Sequence, residues 1–346
     1  MSAALARPLR LGALGTSSIA RRRALPTAVA TPEVELVAVA GRSADKAAEF
    51  ATQFGCAAED DFDSLLARPD VEAVYVSTPT ALHHTWAARA LRAGKHVLVE
   101  KPIAADAHEA HELAELAGRS GLVLRENFMF LHHPQHVRAA ELAQEGRLGR
   151  LTTLQAAFCI PPLPPGDIRY QPGMGGGALL DVGVYPLRAA QLLLGRGLRV
   201  AGAVLRTRAE DGLDLSGHAL LVSPDGVLAD VTFGFEHAYA STYTLWGDRA
   251  RLTVPRAFTP PPAHQPVLVL EEQDHEERFT LPAADQLRTC LAQFAAAVRQ
   301  GEAGGREAEV RADAVAGMEL VDAVHKVAER VVVEAGAEGK GRTARE

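Results

Sequence analysis

The sequence predicts an α/β fold in two parts: an N-terminal parallel sheet with helices on both faces, then a C-terminal α+β unit on an open, mainly antiparallel sheet. Two observations carry that prediction. In the first third, short apolar or β-branched runs at 9–14, 34–40, 73–77 and 96–99 alternate with alanine-rich helical stretches. Such alternation marks βαβ units whose strands are buried on both faces. Beyond Gly149 the pattern changes to LTTLQAAFCI, GHALLVS, GVLADVTFGFEHA, STYTLWG and PVLVLEEQ, long β-rich runs that suit antiparallel strands. A chain of 346 residues, 47% of them hydrophobic, is large enough for two cores.

Helix boundaries fall where this scheme needs them. Ser43 stands before ADKAAEFATQFG as an N-cap, and Gly55 closes that helix. Thr80 precedes the segment ending at Gly94, a further helix follows Asp106, and a strand is expected at 123–125. Helices are expected over 286–299 and roughly 311–334, before a charged tail, 337–346, whose composition predicts disorder.

The net charge of −7 argues against a broad surface for nucleic acid or anionic membrane. Cys56, Cys159 and Cys290 lie far apart, in no metal-like or redox-pair spacing. With no secretory apolar region near the start and no run of ~20 apolar residues, the reading is a cytoplasmic chain with free thiols. His132, His133 and His136 in FLHHPQH, and the pair His83 and His84, lack the cysteine or carboxylate company of a zinc motif, so no metal is expected.

Gly12 and Gly15 follow the first strand in RLGALGTSSIARRRALP, where missing side chains let backbone N–H groups approach a diphosphate at a helix N-terminus. This places a dinucleotide-binding Rossmann domain over 1–126. At the end of the second strand an NAD site usually carries an acid for the ribose 2′-hydroxyl; here the sequence is Gly41-Arg42-Ser43, which favours the 2′-phosphate of NADP(H).

The fifth strand ends in VLVEKPIAADAHEA, putting Glu100 and Lys101 at the carboxyl edge of the sheet, where open α/β folds bind ligands. A partly desolvated lysine titrates closer to neutrality and can protonate a carbonyl oxygen; an ion pair with Glu100 is the plainer alternative. In GMGGGALLDVGVYPLRAAQLLLG, Asp181 and Tyr185 share a face if helical geometry runs on through Pro186. That gives either a Lys-Asp-Tyr constellation or a buried tyrosine beside a capping aspartate.

Lys101 within EKP, the glycine-serine loop and GGGALLDVGVYP together resemble the Gfo/Idh/MocA oxidoreductases, over about residues 9–333. TSSIARRRALP, ENFMFLHHPQH, GDIRYQ, LLDVGVYPLRAA, FGFEHAY and LWG are similar to the NADPH-dependent 3-ketoreductases of dideoxysugar biosynthesis. The resemblance implies a substrate-binding and oligomerisation domain over 127–336 whose sheet forms a dimer or tetramer contact. It implies reduction of the C3 keto group of a TDP-3,4-diketo-2,6-dideoxyhexose, with Lys101 as first choice of proton donor, Tyr185 as its rival and Asp181 beside them.

By the same resemblance Gly12, Gly15, Thr16, Ser17, Ser18, Ile19, Ala20 and Arg22 surround the cofactor's phosphates, and Arg42 with Ser43 the adenosine phosphate. Thr78, Pro79 and His83 lie near the nicotinamide ribose, with Glu100, Lys101, Arg169 and Asp181 completing the cofactor's surroundings. Substrate contacts are expected from Lys101, Asn127, Phe128, Arg169, Tyr170, Tyr185 and His237. Many polyol dehydrogenases of the family have histidine where this chain has Tyr185, which sets an inositol dehydrogenase aside. The alternatives are an NADP-dependent sugar or dihydrodiol dehydrogenase, or a non-catalytic NADP-binding sensor.

Overall fold

A computed structural model describes residues 7–301 and 305–334. Strands β1 (Leu9–Leu14), β2 (Val34–Ala40), β3 (Ala57–Glu59), β4 (Ala73–Val76), β5 (His96–Val99) and β6 (Leu124–Glu126) form one sheet in the order β3-β2-β1-β4-β5-β6. Every pairing in it is parallel. The order reverses between β1 and β4, which opens a crevice at their carboxyl ends. Ser43 Oγ accepts from the Lys46 N–H, and Gly55 ends that helix at φ 70°. The Asp106 carboxylate caps the helix Ala107–Ser120 by accepting from the Glu109 N–H. Thr80 caps nothing: it opens a 3₁₀ turn, Thr80–Leu82, and the helix His83–Arg92 follows without a side-chain cap.

The second sheet contains β7 (Leu151–Cys159), β8 (Arg199–Arg208), β9 (Asp214–Val222), β10 (Leu228–Gly234), β11 (Ala240–Gly247), β12 (Arg251–Pro255), β13 (Val267–Glu271), β14 (Glu276–Thr280) and β15 (Ala328–Val333). Their order is β14-β13-β12-β11-β7-β10-β9-β8-β15. All neighbours are antiparallel except β7 with β10 and β8 with β15. Alternate residues such as Phe158, Phe233 and Tyr243 point inward, into one apolar core with Tyr185 of the helix Val184–Leu194. Register puts the ends of β7, β10 and β12 and the start of β11 along one edge, with Ala240 opposite Cys159, Gly234 beside Cys159, and Pro255 opposite Thr242.

The closing segment differs from the helix expected at 311–334. The helix is Arg306–Val327, and 328–333 is strand β15, lying parallel to β8. Three consecutive valines, 331–333, suit a pleated edge better than another helical turn. The tail at 337–346 lies outside the described residues. The helix Gln286–Gln300, placed by sequence in the second domain, packs Leu287, Leu291 and Phe294 into the core of the first sheet with Leu9, Leu11 and Tyr75. A buried pair, Arg125 Nε donating to Glu307 Oε2 at 3.0 Å, ties β6 to the helix Arg306–Val327.

Candidate active site

The loop after β1 fits a dinucleotide diphosphate. Gly15 has φ +115°, and a Cβ there would lie 2.9 Å from Ser77 Oγ and 3.0 Å from the Ser77 backbone. Only glycine lets the loop pass so close to the end of β4. Helix geometry begins at Ser18; Ser17 Oγ accepts from the Ala20 N–H and the Ser17 carbonyl from the Arg21 N–H, which leaves the N–H groups of Ser18 and Ile19 without a helix carbonyl. Ala20 is buried beneath the turn, and Arg22 is exposed, its Nε donating to the Ser18 carbonyl. Gly12 is not in the loop: it lies within β1, packed against Leu65 and Val71 of the neighbouring layer. Across the crevice, Thr78 Oγ1 is buried with no hydrogen-bond partner among the described residues, a polar atom placed for a ligand at the end of β4.

At the end of β2, Arg42 is exposed, and no ion pair holds it among the described residues. It stands at the N-terminus of the Ser43-capped helix, so guanidinium and helix dipole act on one anion. Of the neighbouring arginines, Arg21 is spent on Glu49 and the Phe50 ring. Arg23, which sequence did not single out, is near enough to Tyr185 to favour its phenolate.

His83 is buried and bonds to the backbone: its Nδ1 is 2.7 Å from the Pro102 carbonyl and its Nε2 2.9 Å from the Thr78 carbonyl. It therefore straps the loop behind Lys101 to the loop at 78–79. Glu100 also faces inward, Oε1 accepting from the Tyr75 hydroxyl at 2.6 Å and the Asn127 amide at 2.7 Å. Asn127 Oδ1 in turn takes the Cys290 thiol. Asn127 and Phe128 are 1% and 3% exposed; both support the site from behind, Phe128 through an edge contact with the Tyr185 ring. Tyr75 and Cys290 were illegible in the sequence, because no motif marks a residue in mid-strand or on a distant helix.

Lys101 projects from the end of β5 into this crevice, and its Nζ donates to Asp181 Oδ1 at 2.8 Å and to the Asp181 carbonyl at 2.7 Å. Helical geometry does run on through Asp181 and Tyr185, as a wide π turn, Leu179–Gly183, followed by the α-helix Val184–Leu194. Pro186 has no N–H to give to the preceding turn, so a carbonyl there is left over. The Asp181 carbonyl takes its bond from Lys101 instead. Asp181 Oδ2 accepts from Arg169 Nε at 2.7 Å, and Arg169 Nη1 also reaches Asp167. Gly175, at φ +74°, presses this loop onto Thr80 and Ala81 of the first domain, where a Cβ would lie 2.8 Å from Thr80 Cβ.

An ammonium has three N–H donors, and two of those on Lys101 are spent on Asp181. The third is free for a substrate oxygen. Nζ lies 5.1 Å from the Tyr185 ring centroid. The Tyr185 hydroxyl has no partner among the described residues, yet it is not among the sealed orphan atoms, so it opens to the crevice.

Electrostatics correct the expectation that Lys101 titrates near neutrality. Burial, the largest single influence, lowers its pKa, but Asp181, Tyr185 and Glu100 together outweigh burial and raise it. The carboxylate keeps the ammonium charged, and Asp181 itself is held below the ordinary aspartate range by Lys101 and Arg169 against the burial that would raise it. Burial pushes Tyr185 up to about 12. Glu126, which accepts from the Ile103 N–H behind the lysine loop, is raised by burial to about 7.

Arg169 and Tyr170 sit beside the cleft as braces. Arg169 is neutralised by two aspartates, and the Tyr170 hydroxyl accepts from the Leu163 N–H while its ring packs on Phe235. His237 lies on the edge where β10 gives way to β11, with Nδ1 buried and without a hydrogen-bond partner among the described residues. Among the described residues no three His, Cys, Asp or Glu side chains gather as a metal set. His136 is spent on Tyr243 and the Ala257 carbonyl, His133 accepts from the Gln135 N–H, and His132 meets Gln293.

A Rossmann crevice faced by a mixed-sheet domain, with a charged lysine at the strand edge, is the architecture of an NAD(P)-dependent oxidoreductase. The chain belongs to the Gfo/Idh/MocA family: the profile of the oxidoreductase family with NAD-binding Rossmann fold matches residues 9–128, and that of the Gfo/Idh/MocA C-terminal domain residues 136–253. It is 49% identical over 319 residues to dTDP-3,4-didehydro-2,6-dideoxy-alpha-D-glucose 3-reductase of Actinomadura kijaniata, covering 92% of this chain and 95% of that one. The Streptomyces antibioticus enzyme of the same name is 48% identical, with 92% and 97% covered. A crystal structure of a 3-ketoreductase from Actinomadura kijaniata with NADP and TDP-benzene superposes with a TM-score of 0.91 at 48% identity, over 94% of this chain and 99% of that one. An NADP-dependent D-xylose 1-dehydrogenase from Haloferax volcanii is 32% identical, with 93% and 98% covered.

Proposed function

We propose that the protein reduces the C3 keto group of a TDP-linked 3,4-diketo-2,6-dideoxyhexose with NADPH. The observation that carries this reading is the Lys101 ammonium, fixed by Oδ1 and the backbone carbonyl of Asp181 with one N–H to spare, beside the open Tyr185 hydroxyl. NADPH, when bound, supplies the hydride. The loop at 15–18 and Thr78 would hold it, and Arg42 with Ser43 its 2′-phosphate.

The chain's own residues do the rest. In this reading the spare Lys101 N–H and the Tyr185 O–H share one substrate oxygen, and together they stabilise the charge that grows on it. Lys101 gives up the proton that makes the C3 hydroxyl and regains one from solvent; Tyr185 orients the carbonyl. Under this division Tyr185→Phe lowers kcat by about tenfold, far less than loss of the lysine. If Tyr185→Phe proves the more damaging of the two, the proton comes from the tyrosine.

Arg42→Ala should raise the KM for NADPH by about tenfold and leave that for NADH within about twofold, since the bond lost is one charge-assisted contact to phosphate. Equal effects on both cofactors would place the 2′-phosphate elsewhere. A free-sugar dehydrogenase would use the same lysine and tyrosine, and the xylose dehydrogenase relative keeps that second reading in view. NADPH oxidation assayed with the TDP-diketo sugar beside free aldoses and diols decides between them, and turnover with neither would restore the sensor reading.

The protein functions as a homodimer or homotetramer in this reading, through the exposed face of the second sheet, where Leu220, Leu228 and Trp246 are 42%, 44% and 39% exposed. Light scattering reads the assembly directly. The free thiols Cys56, Cys159 and Cys290 suit a reducing compartment, the cytoplasm. Among the described residues no helix is long and apolar enough to cross a membrane.

A further inference from the structure

Arg169 and Tyr170, expected to hold the nucleotide, are committed to the protein itself, so the nucleoside diphosphate needs another anchor. Cations near the cleft differ in how far they are neutralised. Arg169 has Asp167 and Asp181, Arg208 has Asp211, and Arg206 has Glu236. Arg256 has no ion pair among the described residues; its guanidinium lies over the Tyr239 ring, 5.2 Å from the centroid.

Arg256 is also the non-glycine residue with positive φ among those described, at 56°. A left-handed arginine is held against its own preference, and such strain gathers at ligand sites. Tyr239 is fixed from three sides: Arg256 over the ring, Phe158 edge-on at 6.3 Å, and a hydroxyl contact to Thr259 Oγ1 at 2.8 Å. It nonetheless leaves 43% of its surface exposed. A large aromatic held rigid and left open is built to stack on something.

Position says what. Tyr239 lies between β10 and β11 and Arg256 directly after β12, along the sheet edge from which β7 leads into the Arg169 loop. Phe158 touches Tyr239 on one side and lies 4.8 Å from the Tyr185 ring on the other. One ring therefore separates the platform from the residue at the reacting carbonyl, a separation that a diphosphate linking sugar to nucleoside can span.

We propose that Tyr239 and Arg256 form the subsite for the substrate's nucleoside diphosphate, the tyrosine stacking on the pyrimidine and the guanidinium binding phosphate. The inference rests on the nucleotide-sugar reading above. It adds the residues that select a TDP-linked sugar over a free one.

The probe is TDP, as a competitive inhibitor and in direct calorimetric titration of the NADP-loaded protein. Tyr239→Ala and Arg256→Gly should each weaken TDP binding about tenfold and raise the KM for the TDP-sugar alike, with kcat and NADPH affinity within about twofold. Arg256→Gly keeps the left-handed backbone and removes only the cation, so a loss there is not a folding defect. Tyr239→Phe keeps the ring and should retain TDP binding. Unchanged TDP affinity in Tyr239→Ala and Arg256→Gly overturns the subsite while leaving the ketoreductase intact. A wild-type protein that does not bind TDP and turns over free sugars instead overturns both.

Discussion

Replacing Lys101 with alanine should lower kcat by about 10³-fold while NADPH binding stays within about twofold, because the lost group acts on the substrate oxygen and touches no part of the dinucleotide loop. The size follows from what is removed: a proton donor and a full positive charge beside the oxygen on which charge develops. Single-turnover absorbance at the nicotinamide band separates the chemical step from binding, and fluorescence titration gives the Kd. Lys101→Arg is the sharper variant. It keeps a charge, but its longer planar fork puts its donors elsewhere than the single Nζ that meets the side chain and the carbonyl of Asp181 with one N–H to spare. It should recover fold stability and little activity. Activity unchanged in Lys101→Ala would remove the lysine from the chemistry altogether.

Much of this site was legible because its parts sit at grammatical positions. Lys101 ends a strand, Gly15 and Arg42 follow strands, and Asp181 and Tyr185 are four apart, so strand edges and helical spacing find them. What escaped were relations between side chains from unrelated elements. Nothing in the order of residues says that Asp181 holds Arg169 as well as Lys101, that His83 faces two carbonyls rather than a ribose, or that Glu100 is taken by Tyr75 and Asn127. The directions taken by the neighbours Arg21, Arg22 and Arg23 are likewise hidden, since they depend on where the π turn at Ala20–Ala24 begins. Strand β15 was hidden for another reason: a long helix runs straight into it, and only the pairing with β8 decides its form.

Asp181→Asn should move the alkaline limb of the kcat/KM profile to lower pH and reduce turnover near pH 8 by about 10²-fold. In the native protein the pKa of Lys101 is raised, so the stability its ammonium contributes is full below the unfolded value of about 10.4 and is lost only as pH rises through the still higher folded value. Asp181 works in the other sense: its lowered pKa gives stability that is present above the unfolded value of about 3.9 and lost as pH falls through the folded one. Neither group titrates in the neutral range, so the pair stays charged where the enzyme works. The amide keeps the shape and an acceptor oxygen but not the charge. Burial, already the largest influence on Lys101, is then opposed only by Tyr185 and Glu100, and Arg169 loses the carboxylate that neutralised it beside the lysine. The ammonium therefore gives up its proton at lower pH, and the reaction loses its donor as it does so. Measuring kcat/KM from pH 6 to 10 for both proteins, with thermal unfolding to confirm the fold, reads this directly: the native profile shows no alkaline limb from Lys101 in that range, and the variant's does. If the variant's profile shows no such limb there either and only falls in height, Asp181 positions the lysine without setting its charge.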